Sequence, residues 1–238
     1  MTTYQAYVVD QTDGRFVFER RWLQMDELKE GEVLIRVQYS SINYKDGLAT
    51  LEQGKVVKQY PMVPGIDLAG VVEASRHPDY KPKDPVLATG YGLGVEHPGG
   101  YAELARMPGE WLVPLPAGLS AREAMVLGTA GLTAALCIDA LEQAGIRPDH
   151  GPVLVTGATG GVGSLAVAIL AKLGYTVEAS TGKMQMRPMI ERLGATRIWT
   201  REEVCPDMVK PLGKQQWVAA VDTVGGQTLA HVLSSIRY

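Results

Sequence analysis

The chain has 238 residues, 46% of them hydrophobic and 21% charged, with a net charge of −3. That is the composition of an ordinary soluble globular protein, long enough for one large domain or two small ones, and its charge gives no reason to expect nucleic acid or an anionic membrane as partner. Cys137 and Cys205 stand far apart with no CxxC spacing, so a reduced, cytoplasmic compartment is the simplest expectation.

The start, M-T-T-Y-Q-A-Y-V-V-D, has no basic segment followed by an apolar one, so no signal peptide is visible. No apolar run approaches the roughly 20 residues of a membrane span. Up to about residue 115 the chain has strand grammar: short β-rich runs at 4–9, 16–20, 33–39, 68–73, 86–89 and 101–106, separated by Gly, Pro and Asp turns. Such spacing predicts an all-β, barrel-like unit. The alternation in V-L-I-R-V (33–37) is imperfect, which predicts strands covered on both faces.

Around Ser120 the grammar changes. Ser120 and Glu123 have the spacing of a capping box, opening a helix-period stretch over 121–144 that Gly145 and Pro148 end. Strand and helix then alternate: a strand at 153–156, a helix to 173, a strand at 176–180, a helix over 189–193, then strands at 197–200 and 217–222. This βαβαβ order predicts a doubly wound parallel sheet, and the two grammars divide the chain into domains 1–119 and 120–238.

The stretch V-L-V-T-G-A-T-G-G-V-G (153–163) is a short apolar strand, a glycine-dense turn and a helix start. That context gives a dinucleotide fingerprint weight, here in the form A-x-G-x-x-G with Ala158, Gly160 and Gly163 in the three places. Gly160 leaves the backbone open to a pyrophosphate, and Gly163 lets the helix pack closely on the strand. Thr159, Gly160, Gly161, Val162 and Gly163 form the expected cradle at the helix N-terminus. An NAD-preferring site places an acid about 20 residues on, near the ribose 2′-OH. That place holds Thr181, Gly182 and Lys183, a hydroxyl and an ammonium suited to a 2′-phosphate, so NADPH is the expected cofactor. Glu178, in the same strand, is read as a strand-face residue with another partner.

Several motifs together resemble the medium-chain dehydrogenase/reductase superfamily. They are S-S-I-N-Y-K-D (40–46), V-P-G-I-D-L-A-G-V-V (63–72), G-G-Y-A-E (99–103), G-T-A-G-L-T-A (128–134) and V-D-T-V-G-G (221–226). N-Y-K-D, P-M-V-P-G-I-D and S-T-G-K look most like the zinc-free acrylyl-CoA reductase branch, with its quinone-oxidoreductase relatives. The resemblance implies a GroES-like β-barrel domain followed by a Rossmann-type domain. It also implies NADPH-dependent reduction of a conjugated C=C bond, acryloyl-CoA foremost, in a homodimer. A quinone or enone reductase, or an NADPH-binding protein without turnover, are the alternatives.

Zinc-dependent relatives have a Cys where Asn43 stands and a His-Glu pair where this chain reads G-I-D. His77, His97, His150 and His231 are scattered without a ligand at useful spacing, so no metal is expected. By the same resemblance Tyr44 lies beside the nicotinamide and donates to a developing enolate oxygen or packs on the cofactor. Asn43 orients the acceptor, Lys45 is solvated and Asp46 is a structural anchor. Thr133 approaches the carboxamide, and Arg201 reaches the adenosine phosphate. Family members run longer than this chain, and the resemblance breaks off at Ser234–Tyr238. The expectation is therefore an incomplete sheet whose strand at 217–222 is left as an edge.

Overall fold

A computed structural model describes residues 3–12, 14–205 and 212–237. They form two compact units, Met1–Thr129 and Ala130–Tyr238.

In the first unit, β1 (Thr3–Thr12) and β2 (Arg15–Gln24) pair antiparallel as a long ribbon. Strands β3 (Val33–Tyr39), β4 (Asp67–Ser75), β5 (Pro85–Thr89), β6 (Leu104–Met107) and β7 (Val113–Pro114) form an antiparallel sheet in the order β6-β3-β4-β5-β7. Bridges at Ala6–Ala102 and Val9–Met62 tie the ribbon down. A short helix, α1 (Tyr44–Ala49), follows β3.

The broken alternation of β3 has a packing cause. Val33 and Ile35 face a core with Leu68, Val72, Val86 and Met107, while Leu34 faces a second cluster with Tyr4, Ala6 and Val8 from the ribbon. Both faces are covered, so consecutive apolar residues are all buried. Each such side chain contributes about 1.5–3 kcal/mol of transfer free energy.

Helix α2 (Ala121–Gln143) opens with the expected capping box: the Ser120 amide donates to Glu123 Oε2 at 2.9 Å, and the Glu123 amide donates to Ser120 Oγ at 3.2 Å. It is not one straight helix, because Gly128 interrupts it with φ 49° and ψ −155°. Ala121, Ala124 and Met125 pack with Ala69 of β4, so the segment before the break belongs to the first unit. Grammar thus changes at Ser120, whereas packing divides the chain at Thr129.

The expectation about membrane spans needs correction here. By length and composition α2 is apolar enough to cross a membrane. The break leaves pieces of seven and fifteen residues on either side of Gly128, each shorter than the roughly 20 a span requires.

The second unit contains β8 (Val153–Val155), α3 (Gly161–Lys172), β9 (Val177–Thr181), α4 (Arg187–Arg192), β10 (Arg197–Thr200), α5 (Arg201–Val204), β11 (Ala219–Val221) and α6 (Gly226–Ser235). Its parallel strands run in the order β10-β9-β8-β11, the 3-2-1-4 order of a mononucleotide-binding half. β8 is fully buried, as a strand covered on both faces must be, with Val167 and Leu170 of α3 in the same core. Gly174 (φ 86°) ends α3 in the left-handed conformation that a residue with Cβ avoids. Among the described residues β11 has β8 as its one ladder partner, and a parallel bridge from Trp217 to Ile236 lies just before it.

Candidate functional site

The two groups of candidate residues lie in different units. In the second unit, β8 ends in the turn Thr156–Gly160 and α3 begins at Gly161. Gly160 caps the helix in extended conformation (φ −81°, ψ 171°), and the first helical amide bond runs from Ser164 N–H to Gly160 O at 2.9 Å. The amides of Gly161, Val162 and Gly163 therefore open the helix without intrahelical acceptors, at its positive dipole end.

The glycines divide the work. A Cβ on Gly163 would collide with the Gly157 carbonyl, and one on Gly157 (φ 58°) with the Thr223 hydroxyl, so these two serve packing. A Cβ on Gly160 would stand 3.3 Å from the Gly157 carbonyl and meet no other described atom within 4 Å, so its bareness keeps the outer approach to the turn open. A Cβ on Gly161 would lie 3.2 Å from that of Ala130, one helical turn before half-buried Thr133 on α2. This cradle fits a pyrophosphate.

At the end of β9 the hydroxyl of Thr181 is buried. It lies 3.1 Å from that of Thr159 and accepts the Lys183 amide at 3.0 Å. Thr181 thus joins the glycine turn to the Gly182-Lys183 loop from inside. The cations remain outside: Lys183 and Arg201 are both exposed, and a Cβ on Gly182 would be 3.9 Å from Arg201 Nε. Arg201 starts α5 behind a capping box, with the Glu203 amide donating to Thr200 Oγ1 at 3.2 Å.

Glu178 has its partner. One carboxylate oxygen accepts both indole N–H groups, from Trp199 at 2.7 Å and Trp217 at 2.8 Å. The Arg197 guanidinium lies 3.5 Å over the Trp199 ring. A carboxylate so engaged is a poor acceptor for a ribose hydroxyl.

In the first unit the N-Y-K-D residues lie at the start of α1, and Asn43 is its N-cap. Buried Asp46 accepts the Ile66 amide at 2.9 Å on one oxygen and the Asn43 amide at 2.8 Å on the other. Fully buried Asp67 accepts the hydroxyls of Ser41 and Thr89, Asn43 Nδ2 at 2.8 Å, the Thr129 amide at 3.0 Å and the Thr129 hydroxyl at 2.5 Å. Burial opposes its charge most strongly. The hydroxyls of Ser41, Thr129 and Thr89, with the Thr129 amide, outweigh it and hold the Asp67 carboxyl below the usual carboxylate range.

Both Nδ2 protons of Asn43 are taken up inside this network, with acceptors at Asp67, Ser41 Oγ (2.9 Å) and Asp46 (3.2 Å). Tyr44, between Asn43 and Asp46, is 85% exposed, and its hydroxyl makes no hydrogen bond to a described residue. Lys45 is exposed as well. Tyr101 donates to the Ser41 carbonyl at 3.0 Å, and burial together with nearby Asp46 pushes its phenol well above the ordinary tyrosine range. A cleft of about 750 Å³ opens beside α1, with Tyr7, Phe18, Tyr39 and Tyr101 on its walls.

One histidine departs from expectation. His77 has ligand-capable neighbours, since Glu32 and Glu110 each bring a carboxylate oxygen to within 4.8 Å of its ring nitrogen and of each other. Sequence spacing could not show this, because the three come from separate connections. His77 Nδ1 already accepts the Asp79 amide at 3.3 Å, and Glu32 accepts the Gly109 amide at 3.3 Å. His97 is half-buried, and burial lowers its pKa.

Residues 29–117 match the family model of the alcohol dehydrogenase GroES-like domain. Acrylyl-CoA reductase AcuI of Ruegeria pomeroyi is 48% identical over 237 residues, which cover 99% of this chain and 72% of that protein. "Putative quinone oxidoreductase YhfP" of Bacillus subtilis is 49% identical over 100% of this chain and 72% of its own length, and the crystal structure of yhfP with NAD bound superposes with a TM-score of 0.97. The yhdH oxidoreductase of Salmonella enterica, solved in complex with NADP, is 50% identical with a TM-score of 0.95, covering 98% of this chain and 72% of that one. The chain therefore belongs to the medium-chain dehydrogenase/reductase superfamily, in the zinc-free branch that contains these oxidoreductases.

Proposed function

We propose that this chain is an NADPH-dependent reductase of conjugated C=C bonds, with acryloyl-CoA or a related 2-enoyl thioester as acceptor. The observation that carries the cofactor choice is the end of β9, where Lys183 and Arg201 flank Gly182 while Glu178 is bound to two tryptophans. The acceptor class rests on the AcuI relative.

Thr159, Gly160, Gly161, Val162 and Gly163 hold the pyrophosphate on backbone amides. Lys183 and Arg201 hold the 2′-phosphate, Thr181 and Gly182 shape that loop, and Thr133 approaches the carboxamide. When bound, NADPH supplies a hydride. The Tyr44 phenol donates a hydrogen bond to the acceptor carbonyl oxygen as negative charge gathers there, the role an oxyanion donor plays when no metal is present. Asn43, whose amide protons are engaged, fixes the loop that presents Tyr44 instead of touching the acceptor. The enzyme works as a cytoplasmic homodimer.

The test is NADPH oxidation with acryloyl-CoA and with a naphthoquinone, beside an NADPH titration. A kcat/KM for acryloyl-CoA at least about tenfold above that for the quinone supports the thioester reading. The reverse order supports a quinone reductase, the reading favoured by the name of YhfP and the aromatic cleft beside α1. Tight binding of NADPH with neither activity leaves a nucleotide-binding protein.

A further inference from the structure

We propose that Asp67 is a positioning residue for Tyr44, its carboxylate clamping the Ser41–Asp46 loop to β4 so that the phenol is held out toward the acceptor. The proposal rests on the reading of Tyr44 as the group that meets the acceptor.

The clamp has two sides. Asp67 Oδ2 accepts from Ser41 Oγ, Asn43 Nδ2 and the Thr129 amide, and Oδ1 accepts from the hydroxyls of Thr89 and Thr129. On the Oδ2 side two donors are N–H groups, which cannot turn round and accept. On the Oδ1 side both donors are hydroxyls, which can. Gly128 supplies independent evidence of a built arrangement. A Cβ there would come 2.7 Å from Asp67 Oδ2 and 3.2 Å from Ser41 Oγ, so α2 breaks at a residue with no side chain where the carboxylate needs room.

The Tyr44 hydroxyl has no hydrogen-bond partner among the described residues. The backbone on either side is tied: Asn43 N–H is held by Asp46, and Asp46 and Gly47 N–H are held by the Asn43 carbonyl at 3.0 and 3.2 Å. Asn43 is in turn bound to Asp67 through Nδ2. The direction of the phenol is therefore set through Asn43, and the charge on Asp67 sets Asn43.

Asp67→Asn separates charge from shape. The amide oxygen can take the Oδ2 side, and the NH2 group can donate to the Thr89 and Thr129 hydroxyls, so the fold is kept while the charge-assisted bond to Asn43 is weakened. In a double-mutant cycle on kcat with acryloyl-CoA, Tyr44→Phe and Asp67→Asn are each expected to lose about tenfold and the double variant little more than either, with the NADPH Kd unchanged. A multiplicative loss of about a hundredfold would overturn the proposal, since the two residues would then act independently.

A second readout needs no turnover. In Asp67→Asn the amides of Asn43, Asp46, Gly47 and Thr129 should exchange hydrogen at least about tenfold faster than in the wild type, with β3 and β4 unchanged. Wild-type exchange at those four amides refutes the clamp, whether or not the chain proves to be a reductase. If Asp67→Asn does not fold, Ser41→Ala removes one donor from the Asn43 side and carries the same exchange test.

Discussion

The glycine turn of the second unit and the carboxylate network of the first are built on opposite plans. The turn works by what it leaves out: side chains are missing at Gly157, Gly160 and Gly163, helix amides lack acceptors, and Lys183 and Arg201 stand exposed. The network works by saturation, with Asp67 taking five hydrogen bonds and Asp46 holding three of its own. An anion site must keep its donors unpaired until the ligand arrives. A buried carboxylate has no such freedom and must be paired throughout. Damage to the turn should therefore read out mainly as lost binding, and damage to the network as lost stability.

The largest effect that could break this contrast is expected from Asn43→Asp. It replaces a donor by a third carboxyl between Asp46 and Asp67, and should cost about 3–5 kcal/mol at neutral pH by chemical denaturation. The new carboxyl has a raised folded pKa, so the loss should be small below the unfolded value of about 3.9 and grow as pH rises through the folded one. Asp67 itself has the opposite sign. Its folded pKa is depressed, so its contribution is present above about pH 3.9 and lost as pH falls through the folded value. An Asn43→Asp variant with wild-type stability at pH 7 would remove the claim that the network is a closed set of donors.

Gly163→Val comes next. Its side chain would meet the Gly157 carbonyl, and overpacking of this kind costs about 1–3 kcal/mol while displacing α3 from the turn. Thermal unfolding should show the first part and an NADPH titration the loss of binding. Lys183→Ala and Arg201→Ala should each weaken NADPH by about tenfold, about 1.4 kcal/mol, with NADH affinity unchanged. The smallest effect sharpens the contrast from the other side: Tyr44→Phe removes an exposed hydroxyl and should alter stability by less than about 0.5 kcal/mol. Its consequence should appear in turnover alone.

The same division explains what could be read in the sequence. The turn is local: strand, glycines and helix follow one another within 153–173, and the cations stand close behind β9, so the sequence pattern marks β8, α3, β9 and β10 to within about a residue at the ends. The network is assembled across distance. Asp67 lies 24 residues from Asn43 and 62 from Thr129, and no periodicity announces such pairs. The break of α2 at Gly128 was hidden for the same reason, because one glycine in a helix-period run is tolerated and its purpose lies in Asp67. Glu178 was recognisable as an objection to NADPH, but its tryptophan partners were not, since Trp199 and Trp217 come from separate stretches. Two short elements carried readable or missing signals of their own. The T-R-E-E at 200–203 is a capping box that marks α5, whereas β7 has two residues and no period to detect.

On the proposed reading the end of β9 takes a 2′-phosphate, and calorimetric titration of the wild-type chain with NADPH and, separately, NADH is the most direct test. NADPH should bind about a hundredfold more tightly than NADH, and Lys183→Ala and Arg201→Ala together should abolish the difference. Equal affinities, or tighter binding of NADH, would contradict it and return Glu178 to the ribose.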